Sequence, residues 1–236
     1  MKKVVVCALF YTVFCVAASS HAEDSAGRNL YLGIGGSYAV EDFEYDDIDF
    51  DDTFSLKVDF DDSWGLDLKL GYHVNDFISL EAVYDHYAEF KTDQSISESV
   101  TVDSTTVTGS IGMEGGLDIN SVMLAGKLSI PWKIRPFIIA GAGLMHAGLR
   151  GELSASLAVN GISESVYVSD SDSDTQGCAK VGAGFDFFAT DNVSVGVEGA
   201  YVFGFEDATF RLNPFSEDIE VDIRYYGFTL GAAYHF

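Results

Sequence analysis

Residues 63–73, SWGLDLKLGYH, put Trp64, Leu66, Leu68, Leu70 and Tyr72 on one side of an extended chain and Gly65, Asp67, Lys69, Gly71 and His73 on the other. Side chains alternate across a strand, so a period of two marks a β-strand with one apolar and one polar face. The chain ends the same way in GFTLGAAYHF, with Phe228, Leu230, Ala232, Tyr234 and Phe236 opposite Gly227, Thr229, Gly231, Ala233 and His235. Each apolar face carries an aromatic at or near its ends. Two membrane interfaces select that placement, because an amphipathic ring is most stable where hydrocarbon meets headgroup.

The pattern recurs in eight stretches, at 29–39, 63–73, 77–90, 118–131, 135–149, 176–189, 192–206 and 222–236. Roughly ten residues is the length with which a tilted strand crosses a bilayer. The connections fall into two strictly alternating kinds. Those after the second, fourth and sixth strands are short (Val74-Asn75-Asp76, Trp132-Lys133-Ile134, Thr190-Asp191), and the others are several times longer. A soluble sandwich has no reason to segregate its loops so. The expected fold is therefore all-β, an eight-stranded antiparallel up-and-down transmembrane β-barrel with short periplasmic turns and long extracellular loops. Closure is physically required, because hydrocarbon offers no partner to an unpaired N–H or C=O and only a sealed sheet satisfies them all. The last ten residues are the closing strand, with Phe228, Leu230 and Ala232 toward lipid and Tyr234 and Phe236 in the periplasmic girdle.

Composition agrees. The 236 residues include 24 Gly, 18 Phe, 12 Tyr and only 3 Pro, and beyond the N-terminus no apolar run is long enough for a membrane helix. The N-terminus differs: two lysines, an apolar stretch from Val4 to Ala18 and Ser20-His21-Ala22 form the pattern of a secretory signal peptide. Residues 1–22 are read as that peptide and 23–236 as the barrel domain. Neither Cys7 nor Cys15 follows a small residue, which speaks against a lipid anchor, and cleavage leaves Cys178 as the one remaining cysteine, without a disulfide partner in the chain. Loss of Lys2 and Lys3 takes the formal charge from −24 to −26, which excludes nucleic acid as a partner and predicts an acidic surface.

The terminal Tyr234-His235-Phe236 resembles the C-terminal signal read by the barrel-assembly machinery, and the opening strand NLYLGIGGSY resembles the first strand of OmpA/OmpX-like outer-membrane β-barrels. The resemblance covers essentially the whole mature chain. It implies residence in the outer membrane of a Gram-negative-type bacterium, contact with its lipids and lipopolysaccharide, and assembly through Tyr234 and Phe236. A monomer is expected.

Eight strands enclose an interior that side chains fill. Parity turns Asp67, Lys69, Glu81, Asp85, Lys127, Lys180, Asp186 and Glu198 toward it, three lysines among five carboxylates, with room left by Gly33, Gly35, Gly182, Gly184, Gly196 and Gly231. Ionisable groups at membrane depth can form a gate or narrow solute path; alternatively they neutralise one another as an ion-pair plug. The plug is the expectation, because the lumen must be filled whatever the function. No catalytic residue, cofactor or metal site is assigned. Asp85 and His86 are adjacent and so face opposite sides, and no serine lies two residues from His146 as in the lipid A deacylase barrels.

The loops hold what is distinctive. Residues 41–62 carry eleven carboxylates against Lys57, yet neither Asp47–Asp52 nor SDSDSDTQG (169–177) has the turn glycine that an ion-binding loop needs. A diffuse acidic surface is expected rather than a calcium site. Phe54, Leu56, Val58 and Phe60 alternate, as do residues 153–168 around Asn160-Gly161, a strong hairpin signal. Loops one and three are therefore expected to continue as hairpin ribbons above the membrane. The expected role is structural or surface-interactive, toward an extracellular protein or host surface through acidic loops; the alternative is a narrow channel or transporter for small or hydrophobic solutes.

Overall fold

The structure is a computed structural model that describes residues 29–236 apart from 46–47, 52–53, 57–59, 103–104, 160–161 and 212–217. The expected signal peptide and the Asn160-Gly161 turn lie outside the described residues. In chain order the strands are β1 (Leu30–Glu41), β2 (Glu44–Tyr45), β3 (Ile48–Asp51), β4 (Phe54–Leu56), β5 (Ser63–His73), β6 (Ile78–Val102), β7 (Thr105–Ser129), β8 (Ile134–Val159), β9 (Ile162–Phe188), β10 (Val193–Gly204), β11 (Ala208–Phe210), β12 (Ile219–Asp222) and β13 (Arg224–His235).

Eight of these close into an antiparallel barrel in the order β1-β13-β10-β9-β8-β7-β6-β5. The seam runs from Tyr31 opposite His235 to Glu41 opposite Tyr225, so the last strand leaves no open edge against the first. At one end the turns are short because side chains satisfy their amides: Asn75 Oδ1 accepts from the backbone N–H of Phe77 and Ile78, both at 2.9 Å, and Thr190 Oγ1 from Asn192 and Val193 at 3.3 and 3.1 Å. Leu32, Leu66, Leu68, Leu124, Ile138 and Leu230 stand exposed on the outer wall. Water would oppose such a surface and hydrocarbon favours it. Aromatics frame this band, with Tyr234 and Phe236 5.0 Å apart at the short-turn end, and Tyr38 with Trp64 and Tyr201 with Tyr226, each pair 4.8 Å apart, at the loop end.

Two loops differ from expectation. The ribbon expected of loop three is present as β8 and β9, paired from the barrel out to Val159 opposite Ile162. Loop two does the same: β6 and β7 run on to Val102 opposite Thr105, past a register shift between Tyr87 and Phe90. Alternating Thr, Val and Ser suffices for pairing there without an Asn-Gly turn to advertise it. Loop one, in contrast, does not prolong β1 and β5. Its strand β2 pairs with β12, and β3 pairs with β4 in a separate two-stranded sheet. Strands β6–β9 therefore stand as a four-stranded sheet beyond the loop end of the barrel, while β11, β12 and β2 lie across its mouth.

One feature organises the interior. In the lower part of the barrel the outward positions are apolar and many inward ones polar. Going up β8, Leu144 is outward and apolar, but His146, Gly148 and Arg150 follow it on that face, while Met145, Ala147 and Leu149 are buried inside. On β7 the same exchange sets outward Asn120 and Asp118 against buried Ile119 and Leu117. His86, Asn120, His146 and Thr175 lie in one lateral row of the sheet. Below that row the solvent is lipid, and above it the sheet is built like a water-soluble protein, apolar inside and polar outside.

Candidate functional site

The lumen is layered. At the short-turn end a hydrogen-bonded chain crosses the closing seam: Ser79 Oγ lies 2.8 Å from His73 Nδ1, His73 Nε2 3.3 Å from His235 Nδ1, and His235 Nε2 2.9 Å from Ser194 Oγ. The two imidazoles stack at 5.4 Å and 8°, and the Tyr31 ring packs on both. Tyr31 occupies the space over Gly71, where a methyl group would overlap its ring. Its hydroxyl donates to Glu81. This chain ties β6, β5, β13 and β10 together across β1.

Ser194, His235 and His73 thus stand in the serine–base–orienter order that the sequence did not reveal, because the three come from distant strands. Ser194 sits within the ladder between β9 and β13, opposite Phe188 and Ala233, so its amide is committed to the sheet and offers no oxyanion hole. The chain also ends in a serine on each side. It is built as a strand-to-strand tie.

Above it lie the eight charged residues that parity turned inward, in two connected groups. Lys69 Nζ lies 2.7 Å from Glu198 and 3.6 Å from Asp67; Lys180 Nζ lies 2.8 Å from the same Glu198 and 3.7 Å from Asp85. Lys127 Nζ lies 2.6 Å from Asp186 and 3.4 Å from Glu81, and 3.8 Å from the centre of the Phe137 ring. Asp67 and Asp85 are direct cross-strand partners, so two carboxylates share one neighbourhood with Lys180. A cavity of about 60 Å³ remains between this layer and the histidines, lined by Lys127, Arg135, Asp186, His73 and His235 among others. That volume is room for a few waters.

The loop half of the lumen is apolar, which the sequence reading missed. Phe90, Leu117, Met145, Phe210, Ile223 and Tyr225 are fully buried in one cluster that also takes in Phe43, Phe60 and Cys178. Rings meet edge-on, Tyr87 with Tyr225 at 5.0 Å and Phe43 with Phe90 at 5.1 Å. Strands β11 and β12 supply Phe210 and Val221 from above. The signal for this plug was the inverted alternation of Leu117, Ile119 and Met123 against Asp118 and Asn120, but the register shift before Phe90 breaks the parity on β6.

The acidic repeat also has a structural use. Asp170, Asp172 and Asp174 each accept the backbone N–H of the next residue, at 2.9, 2.8 and 2.7 Å, and Asp172 and Asp174 accept those of Arg211 and Thr209 at 2.8 and 3.1 Å. Arg211 and its neighbour Ser173 hold the Asp172 carboxyl below the usual carboxylate range. Carboxylates here fasten β11 to the edge of β9 and blunt that edge. Among the described residues no group of three or more His, Cys, Asp or Glu is arranged to hold a metal ion.

Comparison with known families matches residues 7–236 to the outer membrane protein beta-barrel domain. No curated protein matches the sequence. Among solved structures, the outer membrane protein OprG from Pseudomonas aeruginosa is 12% identical with a TM-score of 0.51, covering 91% of this chain and 99% of its own. Neisserial surface protein A is 14% identical (TM-score 0.48, 88% and 97% covered), and Ail, the attachment invasion locus protein of Yersinia pestis, is 19% identical (TM-score 0.44, 89% and 99% covered).

Proposed function

This chain belongs to the outer membrane β-barrel protein family, and from that premise we propose that it acts at the cell surface, through its extracellular sheet and acidic loops, rather than by conducting solute. The observation that carries this reading is the apolar plug: Phe90, Leu117, Phe210 and Tyr225, each without solvent exposure, fill the extracellular half of the lumen. An ion crossing it would shed its hydration with little but the Tyr87, Tyr225 and Ser121 hydroxyls in exchange. The ion-pair layer beneath then serves as the structural filling of the membrane segment. What remains accessible is the sheet of β6–β9, which rises about 40 Å beyond the boundary row at ~3.3 Å per residue.

The test has two parts. The protein purified in detergent and reconstituted in planar bilayers shows no steady conductance, and deletion of residues 154–168 removes binding of cells to a host or matrix surface while heat-modifiable barrel folding persists. Unchanged cell binding would overturn the recognition role of that ribbon. The periplasm-facing cavity favours a second reading, a narrow path for small solutes. Discrete conductance steps abolished by Lys127→Ala or Glu198→Ala would establish it.

A further inference from the structure

The sheet of β6–β9 is two-faced. On the face that faces away from the lumen, β7 carries Thr108, Ser110 and Glu114, β8 carries Glu152, Ser154 and Ser156, and β9 carries serine at 163, 165, 169, 171 and 173. The face continuous with the lumen is the opposite. Alternation from buried Leu117, Leu149 and Cys178 carries it to Ile111, Leu157 and Val166, and the register sets Val107, Val159 and Ile162 in one lateral row at its tip.

Near the barrel mouth this apolar face is covered by the plug. Farther out it is bare: Ile111 is 54%, Leu157 55%, Val166 66% and Ile162 77% exposed. These side chains, with Val107 and Val159, form a contiguous exposed apolar patch, the kind of surface that marks an interaction site. Along β9 the same face carries a line of carboxylates, Glu164, Asp170, Asp172 and Asp174, of which Asp172 and Asp174 keep their charge while also holding the amides of Arg211 and Thr209. Of the nearby cations, Arg211 stands beside Asp172 but is paired with Asp218, Arg224 pairs with Asp222 and Glu44, and Lys91 and Arg150 flank Glu89 on the outer face.

We propose that this apolar face, bordered by the Glu164–Asp174 line, docks a cationic amphipathic polypeptide segment of an extracellular partner, its apolar side on Ile111, Leu157 and Val166 and its basic side on the carboxylates. The proposal rests on the surface-interaction reading and names the chemistry of the partner. Charge decides against a second copy, since two chains of net −24 would bring like carboxylate lines together. A bilayer is out of reach, because the patch lies tens of Å above the lipid-facing band at ~3.3 Å per residue.

The experiment uses residues 23–236 in zwitterionic nanodiscs and three fluorescent peptides of one length: an amphipathic Lys/Leu peptide, a Lys/Ser peptide with charge alone, and a Gln/Leu peptide with apolar character alone. The Lys/Leu peptide binds at least tenfold tighter than the other two by anisotropy. Ile111→Ser/Leu157→Ser/Val166→Ser weakens it at least tenfold, and Ser110→Ala/Ser154→Ala/Ser156→Ala on the outer face leaves it within twofold. Equal binding of the Lys/Ser peptide, or no loss in the inner-face variant, overturns the proposal. Should that variant fray the sheet, an environment-sensitive fluorophore decides: in a Cys178→Ser background, peptide shifts the emission at Leu157→Cys and not at Ser156→Cys, and no shift at Leu157→Cys overturns it. Loss of peptide binding with intact cell binding would sink this docking face alone. Cell binding that survives deletion of 154–168 would sink the surface reading, whatever the peptide does.

Discussion

Lys180 is the most demanding residue in the lumen, because it is the cation shared by Asp85 and Glu198. Its side chain is 4% exposed and its ammonium lies 2.8 Å from Glu198 and 3.7 Å from Asp85, whose cross-strand partner is Asp67. Lys180→Met keeps the volume and deletes the charge. Glu198 retains Lys69 at 2.7 Å and Asp67 retains the same lysine at 3.6 Å, but Asp85 loses the cation the structure gives it. Removing one partner of a buried pair costs about 3–5 kcal/mol, mostly the desolvation of the group left behind. With an m-value of ~1–3 kcal/mol per molar urea, the unfolding midpoint in lipid vesicles falls by about 1 M or more. Adding Asp85→Asn removes the orphaned charge and should restore at least ~1 kcal/mol, a coupling that a double-mutant cycle reads directly. The reasoning fails if Lys180→Met costs less than ~1 kcal/mol, or if Asp85→Asn adds to the damage instead of relieving it.

Gly71→Ala drives a methyl into the Tyr31 ring and loosens its hydroxyl from Glu81, with a loss of about 1–3 kcal/mol in the same unfolding assay. The Asp172 arm of the β11 tether should be pH-sensitive: because the folded state holds the Asp172 carboxyl below its ordinary value, that arm is intact above about pH 4 and is lost as pH falls through the lower folded value, which amide exchange at Arg211 reports. Asp172→Ala should show the fast exchange at neutral pH, and millimolar calcium should not slow it. Deleting Phe236 should cut assembly in cells several-fold and leave refolding into detergent micelles largely intact, because it removes one backbone bond, Phe236 N–H to the Leu30 carbonyl, from a seam that continues from Tyr31–His235 to Glu41–Tyr225.

Much of this architecture was legible in the sequence because lipid imposes a strict rule. Trp64 to Tyr72 and Phe228 to Phe236 must alternate, and a short turn such as Val74-Asn75-Asp76 leaves no other connection, so strand positions followed directly. Lys69, Lys180 and Glu198 were placed in the lumen by parity alone; which lysine meets which carboxylate depends on stagger between distant strands, and no local pattern encodes it. The His73–His235 contact was hidden for the same reason. Above the boundary row the rule reverses, so a rule tuned to lipid leaves Leu117 in the second loop, outside the strand expected at 118–131, and does not mark Ile119 and Leu149 as core. Phe90 was lost to a register shift, and the second ribbon to the absence of glycine at its turn.

The inversion of polarity at that row makes a direct claim: the extracellular half of the lumen is dry and closed. Cys178 reports on it, since it is fully buried in the apolar cluster and is the one cysteine in residues 23–236. In proteoliposomes, a charged membrane-impermeant maleimide presented on either side should leave Cys178 unlabelled in the folded barrel and modify it completely after heat denaturation. Rapid labelling of the folded protein would show a wet, open passage where the account places a plug.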